Sequence, residues 1–158
     1  MLYDQPQVVA NAPTLLQQHG IDGRIRIESG SFFETVPAGG DLYVLKAIIH
    51  DWPDEQAVTI LRNVRDAAGP AGTVLLVELV IPTHDREFLG KWTDLEMQLG
   101  LGARERTAAD YRDLLDRAGF QRTQVVETAS PFSFVEAKPS RSPDSQGPSR
   151  SHRGGECR

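Results

Sequence analysis

Cysteine is nearly missing from this chain. Cys157, close to the last residue, is the only one, so no intrachain disulfide and no thiolate metal cluster can form, and no metal is expected. Long apolar runs are missing as well: none approaches the roughly 20 residues that span a bilayer. No basic start leads into an apolar stretch of the kind that directs secretion. A cytoplasmic protein without membrane contact is the default expectation. A basic excess is absent too. The net charge is −5 and the pI about 5.3, which argues against a nucleic-acid partner. No G-x-G-x-x-G occurs, which disfavours a dinucleotide oxidoreductase. What remains is an ordinary composition, 39% hydrophobic and 25% charged over 158 residues, enough for one domain at most.

The most informative stretch runs from Asp41 to Val80. Leu42 to Leu45 is a short run of strand formers closed by Lys46. Ala57, Ile60, Leu61, Val64 and Ala68 then recur at helical spacing. Pro53 suits a first helical turn, Asp54 and Glu55 place negative charge where the helix dipole favours it, and Gly69-Pro70 ends the helix. Thr73 to Val80 is almost continuously apolar, as expected of a strand covered on both faces. Strand, helix and strand of this length make a right-handed βαβ unit. Ligands of such units sit outside the carboxyl ends of the strands. Lys46 to Asp51 and Glu78 lie there.

Around this unit the reading is coarser. Met1 to Asp4 suggests the stub of a strand. Pro6 opens a helix that Pro13 kinks or restarts and Gly20 ends. Arg24 to Glu28 alternates as a half-exposed strand, and Ser29 to Gly40 is a loop. Phe88 to Leu99 has helical spacing. Thr107 and Asp110 form a T-x-x-D capping pattern ahead of a helix over Ala108 to Ala118. Gln124 to Thr128 and Phe132 to Ala137 read as antiparallel strands joined at Ser130-Pro131. From Lys138 the chain is rich in Ser, Pro, Arg and Gly with almost nothing apolar, which predicts a solvated, disordered tail. The expected division is a domain over residues 1–138 and a tail over 139–158.

Several segments resemble one family in the same order. LKAIIHDWPDEQAVTIL (Leu45 to Leu61), followed by a strand ending at Glu78, is similar to the small-molecule O-methyltransferases that use S-adenosylmethionine. YDQPQVV (Tyr3 to Val9), SGSFFETVPAGGDLY (Ser29 to Tyr43), ARERT (Ala103 to Thr107) and AGF (Ala118 to Phe120) resemble further markers of that family. The resemblance implies an α/β, class I methyltransferase, Rossmann-like, doubly wound sheet with strand order 3-2-1-4-5-7-6 and an antiparallel C-terminal hairpin. Nothing here matches the family's first strand, its Gly-rich turn or its N-terminal helical dimerisation domain. The expectation is therefore an incomplete catalytic domain, inactive alone, whose full-length relatives are homodimeric. This chain is expected to be monomeric or aggregation-prone.

The implied reaction moves the methyl group of S-adenosyl-L-methionine, the co-substrate, to a hydroxyl of an aromatic or polyketide-like small molecule. His50 matches the family's catalytic base. Glu78 and Glu105 match the acidic residues flanking it. A positioned base is useful because a phenol, with pKa about 10, keeps its proton at neutral pH. A carboxylate on the second imidazole nitrogen would orient that base. Asp4 matches the residue that binds ribose hydroxyls, Ser31 and Phe32 the pair beside the adenine, and Lys46 a lysine that contacts the cofactor. Met97 matches a methionine that packs on aromatic acceptors, where a flexible thioether suits a flat ring. Each has a plainer alternative: a cap or packing role for His50, a solvated strand end for Glu78, and an ion pair with Arg104 or Arg106 for Glu105. For Asp4 it is a helix N-cap, for Phe32 core packing, for Lys46 a strand-end lysine and for Met97 helix-face packing. Asp51 and Trp52 read as structural. A non-catalytic remnant, or half of a split methyltransferase that binds a complementary chain, is the competing function.

Overall fold

The computed structural model describes residues 1–82 and 105–140. Strand β3 (Leu42–Lys46), helix α3 (Asp54–Ala68) and strand β4 (Thr73–Glu78) form the βαβ unit. The two strands pair in parallel, Leu42 opposite Thr73 and Lys46 opposite Val77. Helix α3 buries Ala57, Val58, Ile60, Leu61 and Val64. Val74 and Leu76 of β4 join the same core. Burying one such Val, Leu or Ile contributes about 1.5–3 kcal/mol. Pro53 takes the N-cap position, one residue ahead of the helix rather than inside it.

The expectation of a strand covered on both faces is corrected. Along β4 only Val74, Leu76 and Glu78 are buried; Thr73, Leu75 and Val77 are half-buried. Their face continues through Val44, Phe134 and Val126, which are exposed. The apolar run ends at Glu78 and resumes as a two-residue strand, β5 (Val80–Ile81), pairing in parallel with β6 (Arg106–Thr107). The sequence pattern did not anticipate β6.

Strand β8 (Ser133–Pro139) lies antiparallel to β4, and β7 (Phe120–Glu127) lies antiparallel to β8, so the sheet order is β3-β4-β8-β7. Both strands are longer than their alternation suggests. Strand β7 begins at Phe120 and has an irregularity between Gln121 and Gln124, beside Arg122 at φ 56°. That positive φ breaks the period-2 pattern and hid the strand's first half. Strand β8 runs through Lys138 and Pro139, the start of the expected tail; residues 141–158 lie outside the described residues. So does the helix expected over Phe88 to Leu99.

At the other end of the chain, β1 (Leu2–Asp4) and β2 (Ile27–Ser29) pair in parallel as a separate two-stranded sheet. The helix expected between them restarts beside Pro13, giving α1 (Pro6–Val9) and α2 (Ala12–Gln18). Pro13 stands in the first turn of α2, where its missing N–H costs nothing but the ring bars continuation from α1. The strand expected from Arg24 starts only at Ile27, and Arg24 itself ends a 3-10 turn over Asp22–Arg24. Gly30 follows β2 because the Tyr3 ring lies on it: a Cβ there would meet the Tyr3 hydroxyl at 2.3 Å. Leu2 to Asp4 of β1 and Leu42 to Lys46 of β3 face each other across a cavity of about 370 Å³. The described strands thus supply two parts of the doubly wound order, 3-2 and 4-5-7-6. A slot lies where the family's central strand belongs.

Helix α4 (Ala108–Arg117) buries Tyr111, Leu114 and Leu115 against this core. Thr107 and Asp110 form the expected reciprocal capping box: the Asp110 N–H donates to the Thr107 hydroxyl, and the Thr107 N–H donates to the Asp110 carboxylate at 2.9 Å. Thr107→Ala should lower the free energy of unfolding by about 1–2 kcal/mol, read from urea denaturation midpoints. A loss within experimental error would show that β6 pairing, not the cap, starts this helix.

Candidate active site

The site is organised by a carboxylate with no exposure. Glu78 ends β4 at 0% accessibility. A buried carboxylate needs partners for each oxygen, or it would lose several kcal/mol. Its Oε1 accepts from the backbone N–H groups of Ile48 and Ile49, at 3.2 and 2.9 Å. Its Oε2 lies 2.7 Å from His50 Nδ1. These bonds hold the 3-10 turn Ile49–Asp51, which follows β3. Ala47 makes the geometry possible by adopting φ 52°, a left-handed conformation that costs a residue with a Cβ about 1–2 kcal/mol. The reversal turns the next two amides toward Glu78.

His50 is thereby fixed between carboxylates. Its side chain is 12% exposed. Asp51 Oδ1 stands 3.2 Å from its Nε2. The imidazole pKa is raised above the ordinary 6.5, chiefly by the hydrogen bond to Glu78. Burial opposes that shift, while the charges of Glu78, Glu105 and Asp51 add to it. Glu105, 4% exposed, is therefore close enough to act on the ring. Its burial does not fit the surface ion pair weighed as its alternative. Sequence placed His50, Glu78 and Glu105 in one group, and the fold brings them together.

Three of the four expected cofactor residues also meet. Asp4, Phe32 and Lys46 line the cavity between β1 and β3. Asp4 is not the N-cap of α1, a position that Gln5 fills; its Oδ1 accepts from the Gln5 N–H at 2.7 Å. The Phe32 ring packs edge-on against Trp52 at 6.1 Å between centroids, so it touches the residue just beyond the turn that carries His50. Lys46 Nζ lies 5.5 Å from the centre of the Phe132 ring. Ser31 accepts from the Phe33 N–H at 3.3 Å and shapes the loop after β2. Met97 lies outside the described residues.

Two residues of the site escaped the sequence reading. Tyr111 is fully buried. Burial first, then the charge of Glu78, holds it well above its ordinary value, so it stays neutral. Arg106, also at 0% exposure, reaches the carbonyls that flank His50. The only trace in the sequence was a second basic residue inside ARERT.

Imidazole titration followed by NMR should place His50 above the ordinary 6.5, and Glu78→Gln should bring it down. The same linkage affects stability. A raised histidine stabilises the fold fully below its unfolded value of about 6.5, and that contribution is lost as pH rises through the folded value. Relative to His50→Gln, the chain should therefore gain thermal stability toward acid. A His50 that titrates at or below the ordinary value would contradict the Glu78 geometry.

Comparison with known proteins gives the arrangement its context. An O-methyltransferase domain family model matches residues 1–121. A phenazine O-methyltransferase of Lysobacter antibioticus is 45% identical over 139 residues, which are 88% of this chain and 41% of that protein. An O-demethylpuromycin-O-methyltransferase of Streptomyces alboniger is 42% identical, over 88% of this chain and 38% of its own length. Among solved structures, that of LaPhzM superposes with a TM-score of 0.84 at 45% identity, covering 87% of this chain and 42% of that one. An O-methyltransferase from neocarzinostatin biosynthesis, solved with S-adenosyl-L-homocysteine and 1,4-dihydroxy-2-naphthoic acid, gives 0.78 at 36% identity, over 87% and 40%. The chain thus spans about two fifths of the length of these relatives. It superposes on part of these folds, and it belongs to the O-methyltransferase domain family.

Proposed function

We propose that this chain provides the base-bearing, acceptor-side part of an S-adenosylmethionine-dependent O-methyltransferase. Its acceptor would be a hydroxyl on a planar aromatic or polyketide-like small molecule. The observation that carries this reading is the 2.7 Å contact of His50 Nδ1 with buried Glu78 at the carboxyl ends of β3 and β4. With Nδ1–H donated to Glu78, Nε2 is the nitrogen that would take a proton from the acceptor, and the Asp51 carboxylate 3.2 Å from it would stabilise the charge that results. Its raised pKa narrows the gap to a phenol's value of about 10. Glu105 and Glu78 stabilise the imidazolium that results. Asp51, beside Nε2, is 39% exposed and would relay that proton to solvent.

The residues around the β1–β3 cavity suit the cofactor. Asp4 would accept the ribose hydroxyls, Phe32 and Ser31 would flank the adenine, and Lys46 would contact the remainder. When bound, S-adenosylmethionine supplies an electrophilic methyl group on a sulfonium sulfur. Met97 would pack on the acceptor ring.

The cavity also favours a second reading, that the chain is a binding partner. Among the described residues β1 pairs only with β2, and β3 only with β4. Each therefore turns an unpaired edge toward the slot. A parallel strand would satisfy both edges and wall off the cofactor side. The rest of a longer polypeptide or a second chain could supply it.

One experiment tests both readings. Residues 1–140 are joined to the part of the Lysobacter antibioticus relative that they do not span, or mixed with that part as a separate polypeptide. The joined protein should methylate 1,4-dihydroxy-2-naphthoic acid. His50→Ala should lower turnover by roughly 100- to 10,000-fold at neutral pH, with less effect as pH approaches the acceptor's own value. Cofactor affinity should hardly change. By calorimetry, residues 1–158 alone should bind S-adenosylmethionine poorly, because one wall of the slot is open. Near-full activity of His50→Ala would remove the base from the reading. Failure of the separate polypeptides to associate would remove the second one.

A further inference from the structure

The turn that carries His50 is held from two sides, and only one of them is Glu78. On the other side lies Arg106 of β6, without exposure to solvent. Its Nη1 donates to the Ile49 carbonyl at 2.8 Å, and its Nη2 to the Trp52 carbonyl at 2.8 Å. Nη2 and Nε also donate to Asp54 Oδ1, at 2.7 and 3.1 Å. One planar cation therefore spans the residue before His50, the residue after Asp51 and the first residue of α3.

We propose that Arg106 is a positioning residue for the base: its guanidinium fixes the carbonyls on either side of His50, so that the ring cannot leave Glu78. The proposal rests on the reading of His50 as the base. Glu78 holds the turn through N–H groups and Arg106 holds it through C=O groups. With both sets of backbone groups engaged, neither rotation nor translation of the turn is free. Fixing a catalytic group in this way is a large part of what makes it effective, because a displacement of about 1 Å can cost 100-fold in rate. The planar fork is essential. A lysine would carry the charge but could not span three acceptors in fixed directions. The neighbouring residues share this economy: Glu105 contributes charge to His50, Arg106 holds its backbone, and Thr107 caps α4.

A structural ion pair between Arg106 and Asp54 is the rival explanation, and the two part company on the His50 titration. Among the described residues, the charges that shift the ring are Glu78 from β4, Asp51 from its own turn and Glu105 ahead of β6; neither Arg106 nor Asp54 is one of them. Arg106→Lys keeps the positive charge and loses the fork. We expect its His50 titration, followed by imidazole NMR in the 158-residue chain, to lose the upward shift and return toward the ordinary value. The wild-type signature of an Nδ1–H held by a carboxylate should be lost with it. A merely structural role predicts a lower thermal midpoint with the titration unmoved, and that result would overturn the proposal.

If Arg106→Lys does not fold, Asp54→Ala decides. It releases one corner of the fork at a side chain that is 35% exposed. Read at about 1 M salt, where the Debye length is about 3 Å, direct charge effects are screened. A smaller downward shift of His50 is then expected, and an unmoved titration in the folded variant would overturn the proposal. These measurements involve no methyl transfer. A clamp that succeeds here beside an active His50→Ala enzyme would sink the base reading and leave the clamp standing.

Discussion

Burying Glu78 without its partners would cost more than the fold could bear, and much of the site's geometry answers to that constraint. A carboxylate at 0% exposure must be met by donors. The donors available are two backbone amides and one imidazole. To deliver the amides the chain must reverse just after β3, which is why Ala47 accepts a left-handed conformation. To deliver the imidazole the same turn must present His50 toward β4. The strain at Ala47, the short turn and the raised histidine are thus three results of one buried charge. The parallel register of β3 and β4, which sets Lys46 opposite Val77, brings the two strand ends level.

How far the sequence could be read depended on how local each cause was. The βαβ unit was legible because α3 and its strands are specified by spacing within a few turns of chain. His50 and Glu78 could be grouped because that unit places both at the same end. The capping box was legible from Thr107 and Asp110 alone. The misses have non-local or conformational causes. Strand β6 is two residues long and exists only because Val80 lies opposite Arg106. Strand β7 conceals its first half behind a positive φ at Arg122. The apolar run of β4 gave no sign that Leu75 and Val77 would be only half covered, since covering depends on what packs there. Arg106 read as an ordinary charged residue, because its carbonyl partners reveal nothing of themselves in side-chain types.

Asp4, Phe32 and Lys46 come from three separate stretches and line one cavity, a convergence that periodicity cannot show. Phe32 and Phe33 also pack on Trp52, at 6.1 and 4.7 Å between ring centres. The Trp52 carbonyl is in turn held by Arg106. The cavity and the proposed base are therefore joined by these two aromatic contacts between the loop after β2 and the end of the turn that carries His50. Both halves of the proposed chemistry share that support.

The division of the sheet has a dynamic corollary. Strands β1 and β2 have three paired positions between them, and among the described residues no strand of the larger sheet extends their ladder. They are tied to the rest through the loop after β2: the Asn63 amide donates to the Phe32 carbonyl at 2.8 Å, and the Tyr43 hydroxyl to the Pro37 carbonyl at 3.0 Å. Few contacts of this kind make a separate cooperative unit, one that can open while β4 and α3 stay closed. Amide protons of β1 and β2 would then exchange through a sub-global opening, and those of β4 only through complete unfolding. Any segment that filled the slot would merge the two units into one, and its binding would register as slower exchange across the whole N-terminal third.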